Sequence, residues 1–153
     1  MNTSSKPLHL HEDRLLSSDP VQRAIARRLY AEVARLPIIS PHGHTDPAWF
    51  AGNAPFANAT ELLLVPDHYV FRMLYSQGVP LDALGIPRAD GSRAAVDPRA
   101  AWRVFAANFH LFRGTPSSMW LNHVFHDVFG LRTRLDACTA DAYYDTITAA
   151  LQT

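Results

Sequence analysis

Two histidines separated by one residue, His42 and His44, are the strongest candidates for chemistry in this sequence. They follow an apolar run from Leu36 to Ile39, which has the composition of a short β-strand. Residues two apart on a strand project to the same side, so both imidazoles would leave its carboxyl end together. Neutral imidazoles that converge on one point can hold a divalent metal. From the spacing alone, a chance pairing or a solvated loop explains the motif equally well, since the chain has eight histidines.

A second segment places ionisable side chains at the start of a helix. Asp67 is a good N-cap, so His68 and Tyr69 would occupy the first helical turn, with Arg72 one turn further on. A phenol in such a position can donate a proton to a substrate oxygen. The alternative interpretation is a helix start with a buried tyrosine and a surface arginine.

Three sequence blocks together resemble the uronate (glucuronate) isomerase family of the amidohydrolase superfamily. The first is the apolar run that ends in His-x-His. The second, Val65–Met73, is similar to the family's Asp-His-Tyr-x-x-Arg segment, and the third, Ser117–His123, is similar to a later family helix closing on Phe-Gly-Leu. The blocks occur in the family's order over nearly all of residues 20–150. The resemblance covers only the N-terminal part of a family member.

One departure from the family pattern lies beside the histidine pair. Many members carry Asp-Tyr before the first histidine and Cys between the two, where this chain has Ser40-Pro41 and Gly43. The two histidines themselves are kept, so the resemblance still implies metal binding.

The resemblance implies roles for five residues. His42 and His44 would be metal ligands, with zinc as the expected ion and manganese as the alternative. Tyr69 would polarise or protonate a sugar oxygen, with His68 beside the substrate and Arg72 binding it. The family's third ligand is a carboxylate from a late barrel strand, beyond Thr153.

The implied reaction is aldose–ketose isomerisation of hexuronates through an enediol, with metal-assisted proton transfer between adjacent carbons. The substrates would be D-glucuronate, giving D-fructuronate, and D-galacturonate, giving D-tagaturonate. We expect the 153-residue chain to be inactive alone. Two other functions stay open: an amidohydrolase-type hydrolase that uses the same histidines to activate water, and a non-catalytic helical fragment with a structural or oligomerisation role.

Helical periodicity and capping residues predict the elements around these segments. Asp-Pro or Thr-Pro pairs should start helices, and glycines should end them. The predicted helices cover residues 20–35, 60–64, 68–77, 98–112, 116–129 and 140–151, the last capped by Thr139, with loops at 47–58, where one helical turn fits, and at 79–96. Predicted buried positions are Val21, Ile25, Leu29, Val33 and Leu36 on the first helix, Trp102, Phe105, Phe109 and Phe112, and Leu121, Val124, Phe125 and Val128.

The fold class that follows is a mainly α chain carrying the first strand and a helical insertion of an amidohydrolase-type (β/α)₈ (TIM) barrel. Such a barrel typically needs about 250 residues, so it is incomplete in this chain. We expect residues 1–153 to form a single unit. Residues 1–59 would hold the N-terminal helix, first barrel strand and loop, and residues 60–153 the insertion.

Composition narrows the range of partners. The formal net charge is zero and 48% of residues are hydrophobic, which is typical of a globular chain without a nucleic-acid surface. No signal peptide or membrane-spanning run is evident, and the single Cys138 suits a reducing compartment, so we expect a cytoplasmic location. We separately expect the chain to form a homo-oligomer.

The remaining histidines have a structural interpretation. His9 and His11 would lie in a solvated N-terminal segment, and His110 would be a packed or partly exposed helix residue. His123 and His126 could share a helix face. We expect no acidic partner at matching spacing for them, and therefore a structural role.

Overall fold

The computed structural model describes residues 6–40, 43 and 45–152, and the regular elements among these residues are all helical. The α-helices are α1 (Pro20–Val33), α2 (Pro47–Gly52), α3 (Ala59–Leu63), α4 (His68–Ser76), α5 (Pro98–Ala107), α6 (Pro116–His123) and α7 (Ala140–Ala150). Two 3₁₀ turns, Leu81–Leu84 and Phe109–Phe112, and one π-helical turn, Val124–Val128, complete the set. Within the described ranges, no helix is long and apolar enough to cross a membrane.

Helix starts follow the predicted capping chemistry. The Asp19 carboxylate accepts hydrogen bonds from the backbone N–H of Val21 and Gln22, at 2.8 and 3.1 Å, and Pro20 takes the first helical position. Asp67, Asp97 and Thr115 cap α4, α5 and α6 in the same way. These side chains satisfy N–H groups that have no partner inside the helix.

Helix ends use glycine in the left-handed region, as predicted. Gly78, Gly114 and Gly130 have φ of 88°, 79° and 69° and follow the helical segments that end near Ser76, Phe112 and Val128. A side chain there would be strained, so glycine fixes where each segment stops.

An aromatic core lies between α5, α6 and α7. Trp102, Phe105, Phe112, Phe125 and Tyr143 have almost no exposed surface, and Phe109 is buried beside them. The Trp102 indole N–H donates to the Ala140 carbonyl over 2.9 Å, and the ring of Phe125 meets that of Tyr143 edge-on at 5.0 Å. The aromatic stripe predicted for the helix over residues 98–112 is therefore confirmed as part of the core.

The buried phenol of Tyr143 keeps its proton. Burial raises the pKa of Tyr143 far above its ordinary value, with the nearby Asp136 carboxylate contributing further. The phenol donates a hydrogen bond to the Thr133 carbonyl, which satisfies its polar atom inside the core.

The apolar stripe of α1 is exposed, contrary to the prediction. No residue of α1 is buried, and Val21, Leu29 and Val33 expose 66%, 64% and 51% of their surface. The opposite face is anchored instead: the Arg27 Nε donates to Asp13 Oδ1 over 2.9 Å, and Arg23 contacts the same carboxylate at 3.5 Å. The described residues offer no apolar surface that covers this stripe.

The predicted strand at residues 36–39 is not formed. Ile38 and Ile39 expose 93% and 90% of their surface, and the backbone there has no regular structure. A strand requires a neighbouring strand to bond its N–H and C=O groups. The described part of the chain supplies none, its one β-bridge joining Pro7 to Thr133.

Two long helices are interrupted where the sequence predicted continuity. After α5, the Asn108 side-chain amide donates to the Val104 carbonyl over 2.8 Å, and the chain continues as the 3₁₀ turn. After α6, the Phe129 N–H bonds the Val124 carbonyl five residues back, at 3.1 Å, which is π-helical pairing. This change of register leaves Val128 67% exposed and Val124 only partly buried, while Leu121 and Phe125 are buried as predicted.

Smaller corrections concern a loop and a cap. The predicted loop 79–96 contains the 3₁₀ turn Leu81–Leu84, whose Leu84 is buried. The Thr139 hydroxyl does not cap α7. It donates to the Arg134 carbonyl, while the Asp136 carboxylate accepts from the N–H of Cys138 and Thr139.

The N-terminal segment is anchored to the turn before α7. Leu8 is buried, its N–H donates to the Arg132 carbonyl, and the Arg134 N–H donates to the Lys6 carbonyl, both over 2.8 Å. His9 and His11 are exposed, as expected for a solvated segment.

Candidate active site

The described residues frame the His-x-His motif, but His42 and His44 themselves lie outside them. Two residues after His44, the Asp46 carboxylate accepts from the Ala48 N–H over 2.9 Å and starts α2. The predicted turn of the chain after the motif, including the helical turn around Trp49, is thus present. The convergence of the two imidazoles on one point stays a prediction.

The first turn of α4 carries the other candidate residues. The Asp67 carboxylate accepts from the Tyr69 N–H over 2.8 Å and fixes where the helix begins. Val70 and Leu74 are fully buried on the opposite side, so α4 is held against the core. The capping residue and the apolar face together determine which side chains of α4 face outward.

Those outward side chains form a compact set. The rings of His68 and Tyr69 lie 4.3 Å apart between centroids at 33°, and Tyr69 is 59% exposed. Arg72 is exposed one turn after His68, at the i, i+4 spacing that shares a helix face. The alternative of a buried tyrosine is wrong. The arrangement offers an imidazole, a phenol and a guanidinium at one helix start.

The donor chemistry of the motif fits a metal in part. Two imidazoles are suitable zinc ligands, but a catalytic zinc ion usually has three protein ligands and one open position. Among the described residues, no group of three His, Cys, Asp or Glu side chains could hold a metal.

The structure contains a pair of histidines bridged by a carboxylate, which was not predicted from the sequence. Nδ1 of His123 and Nδ1 of His126 lie 2.7 and 2.6 Å from the two oxygens of Asp127. The hydrogen bond from His126 holds the pKa of Asp127 below its usual range, with a smaller contribution from the charge of His123. The i, i+4 spacing of His123 and Asp127 was the available signal. The π-helical turn brings His126 to the same carboxylate.

The described helices resemble solved isomerases of sugar acids. They match the crystal structure of glucuronate isomerase from Caulobacter crescentus with a TM-score of 0.91 and 66% identity, covering 97% of this chain and 31% of that one. They also match uronate isomerase from Thermotoga maritima, with a TM-score of 0.75, 28% identity and coverage of 94% and 29%. The class indicated by the fold is thus that of proteins sharing this helical part with these two solved isomerases.

The family follows from the sequence comparison. The Glucuronate isomerase family model matches residues 10–153, and the chain belongs to this family. It is 83% identical over 149 residues to a uronate isomerase of Xanthomonas euvesicatoria, covering 97% of this chain and 32% of the relative. A Sphingopyxis alaskensis uronate isomerase is 68% identical, with coverage of 95% and 30%. The chain spans about a third of the length of the curated relatives it matches.

Proposed function

We propose that this chain forms the N-terminal part of a hexuronate isomerase that interconverts the aldose and ketose forms of D-glucuronate and D-galacturonate. The observation that carries the proposal is the 83% identity to a uronate isomerase over nearly the whole chain. The outward His68, Tyr69 and Arg72 on α4 agree with it, because they offer the polar groups that a sugar acid would need.

In the proposed reaction, a base in the rest of the protein takes the proton from C2 and a proton is returned to C1, through an enediol. Over the same steps the C2 hydroxyl loses its proton and the C1 oxygen gains one. The Tyr69 phenol donates to the sugar oxygen on which negative charge develops, which lowers the barrier by stabilising that charge. His68 packs against the Tyr69 ring and fixes its orientation. Arg72 pairs with the substrate carboxylate, since a guanidinium presents a planar fork to a carboxylate.

The proposed metal is zinc, with manganese as the alternative, held by His42, His44 and a carboxylate supplied by the rest of the protein. When bound, such an ion supplies electrostatic stabilisation at the sugar oxygens. The chain's own part is to deliver the two imidazoles immediately before α2.

The rest of the proposed protein is a TIM barrel that also covers the apolar surface exposed here. Residues 36–39 would pair as its first strand, and the apolar stripe of α1 would pack on it. Residues 60–153 would be the helical insertion. We further propose a cytoplasmic homo-oligomer with a hexuronate as its small-molecule partner and no role in nucleic-acid or membrane binding.

The test joins this chain to the remaining two thirds of the Xanthomonas euvesicatoria relative, giving a full-length protein that we call the joined protein. It should isomerise glucuronate or galacturonate in the presence of zinc or manganese. Y69F should lower kcat by about 10²–10⁴-fold, the usual contribution of a positioned acid or base.

Tyr75 provides a matched control, because it lies on the same helix and has the same 59% exposure. Y75F should keep the activity. Turnover of amides instead of uronates would favour the hydrolase alternative. If both tyrosine variants kept full activity, Tyr69 would not belong to the active site.

A further inference from the structure

A groove of about 500 Å³ lies away from α4, where four segments meet, one of them α6 with Ser118 and Asn122. The N-terminal segment contributes Lys6 and His9, the turn after α5 contributes His110 and Arg113, and the turn before α7 contributes Arg134. The floor is apolar, formed by Leu8, Leu10, Ala106, Phe109 and Leu135. A concave site with an apolar floor and a few polar groups at its rim is typical of small-molecule binding.

The rim carries cations that lack counter-ions. Several arginines elsewhere are paired, for example Arg93 with Glu61 at 2.6 Å and Arg88 with Asp82 at 2.7 Å. The side chains of Lys6 and Arg113 have no hydrogen-bond or ion-pair partner among residues 6–40, 43 and 45–152. Unpaired cations around a groove attract an anion.

The rim also holds one carboxylate, Asp136, so the three cations Lys6, Arg113 and Arg134 outnumber the negative charge. Asp136 accepts from the N–H of Cys138 at 2.8 Å and of Thr139 at 3.1 Å, so it serves the turn before α7. Arg134 donates its Nε to the Pro7 carbonyl over 3.3 Å, and its terminal amino groups have no recorded partner in the described part of the chain. His110 donates its Nδ1 to the Ala107 carbonyl at 3.2 Å, since a carbonyl can only accept.

We propose that this groove binds a small organic anion, with an oxyanion head against Lys6, Arg113 and Arg134 and an apolar body on the floor. The head is a phosphate or a carboxylate, both of which match a guanidinium fork. The site is separate from the candidate active site on α4, and its occupancy does not depend on isomerase activity.

The test is titration of the ¹⁵N-labelled 153-residue chain with phenyl phosphate, benzoate and inorganic phosphate, followed by backbone amide shifts. Saturable shifts should map to residues 6–10, 106–113 and 134–136. At least one of the two aromatic anions should bind about tenfold more tightly than inorganic phosphate, because the ring covers the apolar floor. Comparing phenyl phosphate with benzoate shows which head is preferred.

Substitutions distinguish binding of the anion in the groove from nonspecific attraction of the anion to any surface cation. R113Q and K6Q should each weaken binding about tenfold, the usual effect of losing a hydrogen bond to a charged group. R28Q, on the exposed surface of α1, should leave it unchanged. Circular dichroism would confirm that each variant stays folded. Shifts that do not saturate, equal losses in R28Q, or no preference for the aromatic anions would overturn the proposal.

Discussion

The Asp67 carboxylate and the Tyr69 N–H lie 2.8 Å apart, so the residue that starts α4 also places the candidate phenol. Asp67 therefore has a structural and a positioning role. Its side chain satisfies one N–H group at the helix start, and the turn that it fixes directs Tyr69 outward while Val70 enters the core.

Replacing Asp67 with alanine should destabilise the chain by about 1 kcal/mol, the usual cost of losing an N-cap. Urea unfolding of the 153-residue chain measures this. Asparagine keeps a capping oxygen, so D67N should lose much less. In the joined protein, D67A should also lower kcat, whereas D19A, which removes the cap of α1, should not. Equal effects of D67A and D67N on stability would argue against the capping role.

Much of the helical layout was predictable because its signals are local. An aspartate before a proline satisfies the first N–H groups of a helix, and a glycine after the last turn adopts a φ that other residues avoid. Such signals predicted the starts at Pro20, Pro98 and Pro116 and the stop just before Gly78. The core aromatics of α5 were predictable for a similar reason, since their spacing alone places them on one face.

The predictions that were wrong concern contacts with residues far along the chain. The periodicity of Val21 and Leu29 identified an apolar face correctly, but whether it is buried depends on a packing partner that the described residues do not provide. Residues 36–39 failed in the same way, because strand pairing is not local. No local sequence signal predicted that the helix beginning at Pro116 would be interrupted at Val124. For the site, the position of Tyr69 in the first turn of α4 was predictable from the N-cap at Asp67, whereas its exposure was not.

The ion pair between Arg103 and Asp141 should make stability depend on pH. Two hydrogen bonds, at 2.9 and 3.0 Å, join α5 to α7, and the bond from Arg103 is the main reason that the pKa of Asp141 lies below its usual value. A carboxyl whose pKa is lowered on folding stabilises the fold above its unfolded pKa, about 3.8. That contribution is lost as pH falls through the lower folded value.

D141N should therefore be less stable than the parent chain at pH 6, and the difference should shrink as the pH falls through the lowered pKa of Asp141. Urea unfolding from pH 6 downward gives both free energies. The pair is exposed, so the difference at pH 6 should be small. E32Q, at an exposed position of α1, serves as the control and should show no such trend. A difference that stays the same as the pH falls well below 3.8 would mean that the ion pair is not its source.

The exposed stripe of α1 should change its role when the rest of the protein is present. In the 153-residue chain, L29Q should leave the free energy of unfolding within about 0.5 kcal/mol, because the side chain is 64% exposed. It should also reduce self-association, measured by analytical ultracentrifugation, since exposed apolar patches drive association. In the joined protein, the same change should cost several-fold more stability. Equal costs in both proteins would show that the stripe stays exposed.

The isolated chain should bind zinc or manganese weakly and show no measurable uronate isomerisation. In the proposed function, His42 and His44 provide two nitrogen ligands, whereas a catalytic zinc ion usually has three protein ligands, and the proposed carboxylate would also supply charge. Positioning of a substrate alone can account for roughly 7–11 kcal/mol of a barrier, and we expect most of the groups that hold the sugar to lie outside this chain, which covers 32% of its relative.

Assays of the 153-residue chain and the joined protein on glucuronate, each with added zinc or manganese, test this directly. H42A and H44A should each abolish most of the activity of the joined protein and lower its metal content, measured by atomic absorption. H9A is the matched control, because His9 belongs to the other His-x-His motif and is exposed. Turnover by the isolated chain at a rate near that of the joined protein would mean that the active site is complete within these 153 residues.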